Sequence, residues 1–246
     1  MLLAIDIGNT SINFGVFKGK RLVKKFCIPT IKYNSKRLKV CLAKARIDDA
    51  IICSVVPAVS KNLFRDLKKT LSKRPLVLGK DVTLPVKNLY RDPGQVGQDR
   101  LVNAFAASSI YGVPLIVVDL GTAVTLDVIS KRGEYVGGMI LPGLEISLDS
   151  LAERTALLPK IKLSKPKELV GRDTKSSINS GIVYGFAALV DDLTQRTKKE
   201  VGKQAKVIAT GGNIDLIAKY CKNIHKIDKN LTLKGLSLVY ERRKTI

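Results

Sequence analysis

Two short stretches join a carboxylate to small turn residues at the end of an apolar run. Asp6-Ile7-Gly8-Asn9-Thr10 follows residues 2–5, and Asp119-Leu120-Gly121-Thr122 follows residues 115–118. A glycine turn lets backbone N–H groups approach an anion, and Asn9, Thr10 and Thr122 add side-chain donors. A carboxylate beside such a cradle repels a phosphate unless a cation lies between them. Asp6 and Asp119 therefore read as cation-holding groups, acting directly or through water. A third glycine turn, Thr210-Gly211-Gly212-Asn213, precedes a helical segment and suits a flat or anionic ligand laid against the backbone. Together these features describe a nucleotide site. The sequence has no Gly-x-x-x-x-Gly-Lys-Ser/Thr, so it is not a P-loop protein. Either aspartate alone would serve as an Asx-turn residue of its own hairpin; the recurrence is what argues for chemistry.

The segments that must position these residues read the same way twice, as strand, Asp-x-Gly-Asn/Thr turn, strand. Short β-branched apolar runs at 2–5, 12–17, 115–118 and 124–129 favour strands over helices. Glycine is expected to supply the tight turn of each hairpin. The repeat predicts two similar lobes, 1–110 and 111–246, each opening with a hairpin of a mixed sheet and continuing into helices. Residues 101–110 read as a buried helix ending at Gly112. Residues 178–199 read as a longer helix with Ser176 or Ser177 as its N-cap, and 214–221 as a helix after the third glycine turn. The fold class is α/β.

Bulk properties narrow the field. A chain of 246 residues, 45% of them hydrophobic, can bury a sizeable core. The longest apolar stretches, such as residues 114–118, are too short to span a bilayer, and no basic region precedes the first apolar run as a secretion signal would require. The four cysteines are scattered, with no Cys-x-x-Cys, and read as reduced thiols of a cytosolic protein. Forty-three Lys and Arg against 21 Asp and Glu give a formal charge of +22, which raises a nucleic-acid partner. The basic residues are dispersed, no aromatics are interleaved to stack bases and Trp is absent, so a solvated surface is the preferred reading. The sole histidine, His225, lies in a polar stretch and reads as a surface residue without a partner at ligand spacing.

Further motifs accompany the three turns: Ser54-Val-Val-Pro57, Tyr90, Gly97-Gln98-Asp99-Arg100, Asn103-Ala104, Asp119 through Thr125, Gly137-Gly-Met-Ile-Leu-Pro-Gly143, Gly171-Arg-Asp-Thr174 and Ser180-Gly181. The set resembles the superfamily of acetate and sugar kinases, heat-shock chaperones and actin. Within it, the order and spacing resemble the type III pantothenate kinases over nearly the whole chain. The resemblance implies two ribonuclease H-like (actin-like) lobes, each a mixed sheet flanked by helices, with a nucleotide cleft between them. It implies ATP-dependent phosphorylation of pantothenate to 4′-phosphopantothenate, the first step toward coenzyme A. It also implies a cytoplasmic homodimer using Mg²⁺ and a monovalent cation, K⁺ or NH₄⁺.

Residue roles follow from the same resemblance. Asp99 is the implied general base, and Tyr90, Gly97, Gln98, Asp99, Arg100 and Thr174 are implied to contact pantothenate. Asp6, Ile7, Gly8, Asn9, Thr10, Ser11, Ile12 and Asn13 are implied to cradle ATP, with Asp6 helping to hold Mg²⁺. Thr122 is implied to bind the nucleotide and Asp119 the monovalent cation. On residue type alone Asp99 could instead be a helix N-cap, and Arg100 a surface ion-pair partner. Gly137-Gly138 and Pro142-Gly143 are expected to shape a turn near the site. Two alternative functions stand beside the kinase: a kinase for another small hydroxyl substrate, and a non-enzymatic, nucleic-acid-associated regulator of the same fold.

Overall fold

The computed structural model describes residues 1–43, 45–71 and 73–244, and the chain divides into two compact units. The first unit is Met1–Ile110 with Asn230–Ile246, and the second is Tyr111–Lys229.

In the first unit β1 (Leu2–Ile7), β2 (Ser11–Lys18), β3 (Arg21–Pro29), β4 (Asp49–Ser54) and β5 (Leu76–Val77) form one sheet in the order β3-β2-β1-β4-β5. Strand β1 runs antiparallel to β2 and parallel to β4. It is covered on both faces, which explains its nearly unbroken apolar run. Leu3, Ile5 and Ile7 pack toward α1 (Ser35–Leu42) and α2 (Pro57–Thr70). Leu2 and Ala4 pack toward α3 (Gln98–Tyr111) and a C-terminal helix at Leu231–Lys244. Asp6 shares the side-chain parity of Leu2 and Ala4, so it stands on the α3 face.

In the second unit β6 (Leu115–Leu120), β7 (Ala123–Ile129), β8 (Tyr135–Pro142), β9 (Lys206–Thr210) and β10 (Lys226–Ile227) form a sheet in the order β10-β9-β6-β7-β8. Ile116, Val118 and Leu120 pack against α4 (Leu144–Arg154), α5 (Thr174–Val201) and α6 (Ile214–Ile217). The two sheets repeat one topology, strand for strand. Asp6 is flanked by Asn13 on β2 and Cys53 on β4; Asp119 is flanked by Thr125 on β7 and Thr210 on β9. The sequence repeat is thus a repeat of position in the sheet.

Several boundaries differ from expectation. The second lobe does not extend to residue 246, because α7 (Leu231–Lys244) belongs to the first unit. Its Leu233, Leu236 and Val239 join Leu2, Ala4, Ile51 and Cys53 in one buried cluster. Gly235 permits the close crossing with α3, since a Cβ there would lie 2.8 Å from the Val102 carbonyl oxygen. Helix α3 begins at Gln98, earlier than the apolar residues suggest. Helix α5 is capped by Asp173, and Ser176 completes a capping box rather than serving as the cap. The helix expected over 214–221 stops at Ile217 and tightens into a 3₁₀ turn at Ala218–Tyr220. All four cysteines are free thiols. No helix among the described residues is long and apolar enough to cross a membrane.

Candidate active site

The first turn spans Gly8–Ser11, between the paired residues Ile7 and Ile12. Gly8 N–H donates to the Ser11 carbonyl at 3.0 Å and closes it. Asn9 and Thr10 are exposed, whereas Ile7 and Ile12 have buried side chains in the core, so those two can offer a ligand only backbone. The glycine's role differs from expectation, for Gly8 does not have positive φ. A Cβ there would lie 3.3 Å from the Ser11 carbonyl oxygen, so tight packing across the turn is what favours glycine. The second turn is one residue shorter, Gly121–Ala123 between Leu120 and Val124, and Gly121 N–H donates to the Ala123 carbonyl at 3.2 Å.

Asp6 stands one residue from the end of β1 with its carboxylate poorly solvated. Burial pushes its pKa up from 3.8 to about 7, the negative charge of Asp99 adds to the rise, and a hydrogen bond from Asn13 opposes it. Asp99 is therefore an electrostatic neighbour of Asp6 although 93 residues separate them in the chain. The same pair, after burial, helps to raise the Cys53 thiol pKa well above its ordinary value. Asp99 sits in the first turn of α3, where the helix dipole favours negative charge, and its Oδ1 accepts the Arg100 N–H at 2.9 Å. It is not the N-cap: the Gly97 carbonyl accepts the Arg100 and Leu101 N–H groups, placing Gly97 at the helix boundary. A Cβ on Gly97 would collide with the Asp99 carboxylate.

Neighbouring residues fix this helix entry. Gly79, at φ +80°, leaves room for Gln98, whose side chain would lie 2.9 Å from a Cβ there. Arg100 is buried at 8% exposure, which removes the reading of a surface ion pair. Tyr90 is half-buried in the segment that leads to α3, and its N–H donates to Asn88 Oδ1 at 3.0 Å. Asp92 caps the 3₁₀ turn Pro93–Gln95 by accepting the Gly94 N–H. Asp6, Tyr90 and residues 97–100 thus belong to one compact unit, with direct electrostatic proximity shown for Asp6 and Asp99.

In the second unit two glycines press on the Asp119 turn. A Cβ on Gly211 would lie 2.6 Å from Asp119 Oδ1, and one on Gly143 would overlap the Thr122 carbonyl. Asn213 N–H donates to the Leu120 carbonyl at 3.0 Å, tying the third glycine turn to the second. Thr122 is exposed at the apex. Thr174 is exposed in the first turn of α5, beside the Asp173 cap. Asp119 and Thr122 belong to the same hairpin, while Thr174 is placed by the start of α5.

Two features escaped the sequence reading. Asp127 is fully buried and accepts hydrogen bonds from Tyr135 Oη at 2.7 Å and Thr125 Oγ1 at 3.1 Å. Thr125 lies opposite Asp119 in the β6–β7 register, so this network backs the second turn. The signal lay in Thr125-x-Asp127, two polar residues alternating in an otherwise apolar strand. His225 is exposed, as expected, but its ring is engaged: Nδ1 accepts the Val207 N–H at 3.0 Å and Lys198 Nζ lies 3.4 Å from Nε2. No cluster of three or more His, Cys, Asp or Glu is placed to hold a metal among the described residues.

A family model described as type III pantothenate kinase matches residues 2–196. A type III pantothenate kinase from Persephonella marina is 40% identical, with 98% of each chain covered. One from Anaeromyxobacter dehalogenans is 39% identical, covering 99% of this chain and 100% of the relative. Among solved structures, a Campylobacter jejuni protein assigned to the Baf family of transcriptional activators has a TM-score of 0.64 at 21% identity, covering 99% and 100% of the two chains. The activator of the Clostridium difficile 2-hydroxyisocaproyl-CoA dehydratase, solved with ADPNP bound, has a TM-score of 0.56 at 12% identity, covering 100% and 97%. These structural likenesses speak for the fold. Sequence identity over the full chain speaks for the family: the chain belongs to the type III pantothenate kinases.

Proposed function

We propose that this chain transfers the γ-phosphoryl group of ATP to the primary hydroxyl of pantothenate, giving 4′-phosphopantothenate for coenzyme A synthesis. Family membership carries the substrate pair, and the juxtaposition of Asp6 and Asp99 carries the mechanism. Two carboxylates that raise one pKa in a poorly solvated place suit a site that receives a cation with its substrate. Asp6 would hold Mg²⁺ on the ATP phosphates, directly or through water; bound there, the ion supplies neutralisation of phosphate charge.

The protein's own residues do the rest. Backbone N–H groups of the first turn cradle the phosphate chain, with Asn9 and Thr10 adding side-chain donors and Asn13 acting through its hydrogen bond to Asp6. Asp99 accepts the proton of the pantothenate hydroxyl as that oxygen attacks, a positioning task that a carboxylate at a helix entry can perform. Arg100 stabilises anionic oxygens with its guanidinium fork. Tyr90, Gly97, Gln98 and Thr174 complete the pantothenate contacts, and Thr122 contacts the nucleotide. Asp119 holds K⁺ or NH₄⁺, backed by Thr125 and the Asp127–Tyr135 network. The working form is a cytoplasmic homodimer.

The direct test is turnover of pantothenate with ATP and Mg²⁺, run with and without potassium. Formation of 4′-phosphopantothenate is expected, with loss of rate when potassium is omitted; folded protein that turns over no pantothenate would refute the reading. Asp99→Asn is expected to slow turnover about 10²–10⁴-fold while ATP binding stays near that of the parent. Full activity in that variant would remove Asp99 from the role of base.

A further inference from the structure

Thr30 belongs to none of the motifs above, yet it is the buried polar residue that holds the first turn. It follows β3 and is 8% exposed. Its Oγ1 donates to the Gly8 carbonyl at 2.7 Å, and its N–H donates to the Thr10 carbonyl at 3.0 Å. Two carbonyls of the turn are thus drawn to one residue. In a trans planar peptide the carbonyl and the next N–H point in opposite directions. The Asn9 N–H, paired with the Gly8 carbonyl in one peptide plane, therefore points away from Thr30. The Ser11 N–H, in one plane with the Thr10 carbonyl, does the same.

We propose that Thr30 is a positioning residue for nucleotide binding, which turns the Asn9 and Ser11 amides toward the phosphate chain by fixing the carbonyls behind them. This rests on the first turn being the phosphate cradle. The second unit shows what the same position looks like without such a clamp. Pro29 pairs with Ser11 in the first sheet, and Pro142 pairs with Ala123 in the second. The residue after each proline is therefore equivalent, and Gly143 stands where Thr30 does. Gly143 carries no hydroxyl and packs directly on the Thr122 carbonyl. The two hairpins, alike in strand order, are braced differently, and only the first has its peptide planes set by a side-chain donor at this position.

The test uses Thr30→Val, which keeps the shape and the backbone N–H but deletes the hydroxyl, with Thr30→Ser as the rescue. Dissociation constants for Mg-ATP, Mg-ADP and adenosine are measured on the full chain, along with kcat and KM for ATP. The expected result for Thr30→Val is about tenfold weaker ATP binding, a smaller loss for ADP, and adenosine binding unchanged. KM for ATP should rise more than kcat falls, and Thr30→Ser should restore ATP affinity to within about threefold of the parent. Equal losses for ATP and adenosine, or unchanged ATP binding, would overturn the role of Thr30. Asp6→Asn separates the two levels of the argument. If it weakens ATP binding while Thr30→Val does not, Thr30 alone is misassigned. If neither substitution changes ATP affinity, the first turn is not the phosphate cradle.

Discussion

Replacing Asp6 by Asn should make the ligand-free protein more stable above neutral pH. The folded chain holds the Asp6 proton with a pKa of about 7, against 3.8 in the unfolded chain. The folded state therefore binds more protons than the unfolded state between those values, and stability falls as pH rises through the window. The loss begins near pH 4, grows to about pH 7 and is constant above it. A shift of roughly 3 units corresponds to about 4 kcal/mol as a ceiling at 1.36 kcal/mol per unit. Asp6 retains some solvent contact and the site can relax, so an effect on the order of 2 kcal/mol is the working figure. Asparagine keeps the shape and has no charge to desolvate. The assay is thermal unfolding of parent and variant, both freed of metal with a chelator, at pH 5 and pH 8. At pH 8 the variant should melt roughly 4–8 °C higher, and at pH 5 the gap should shrink to less than half of that. Adding Mg-ATP at pH 8 should reverse the order, because only the parent has the carboxylate to hold the ion. A variant no more stable than the parent at pH 8, or a gap independent of pH, would refute the electrostatic account of the site.

Two further substitutions probe the framework around the turns. Gly143→Ala forces a methyl group onto the Thr122 carbonyl, so the second turn must move; nucleotide affinity should fall by about tenfold or more and unfolding should shift down by about 1–3 kcal/mol, both measurable on purified protein. Removing residues 231–246 strips the first sheet of the helix that covers Leu2, Ala4, Ile51 and Cys53. That truncation should abolish cooperative unfolding of the first unit, seen as lost amide-exchange protection across 2–7 and 49–54, while protection of 115–120 persists.

Local sequence carried the hairpins well. Apolar β-branched runs ended by Asp-x-Gly were legible because the strand period and the turn residues agree at both places. The equivalence of Asp6 and Asp119 was legible for the same reason, and the sheet order made it a structural equivalence. What stayed hidden was information held by partners far apart in the chain. The membership of α7 is decided by Leu233, Leu236 and Val239 meeting β1 and β4, and nothing within 231–244 says which sheet they meet. The clamp by Thr30 depends on β3 pairing with β2, which brings a threonine from outside the motif onto Gly8 and Thr10. The separate roles of Asp6 and Asp99 came from family resemblance in the sequence, and the structure adds that the two carboxylates are electrostatic neighbours. Cap assignments failed by a few residues because Asp173 and Ser176 are both good caps, and their reciprocal hydrogen bonds decide between them.

The placement of α7 also bears on synthesis at the ribosome. Residues 111–229 form a contiguous unit and can complete their own core as soon as they have emerged. The first unit, although its sheet is translated first, lacks one of the two helices that cover Leu2 and Ala4 until residues 231–244 follow. The nascent chain must therefore keep the exposed face of β1 and β4 from sticking elsewhere while more than a hundred further residues are made. Asp6 ends that same face. Assembly of the proposed catalytic pair on a finished scaffold therefore waits for residues 231–244, and a chain ended before them would carry both carboxylates without one of the helices that complete their support.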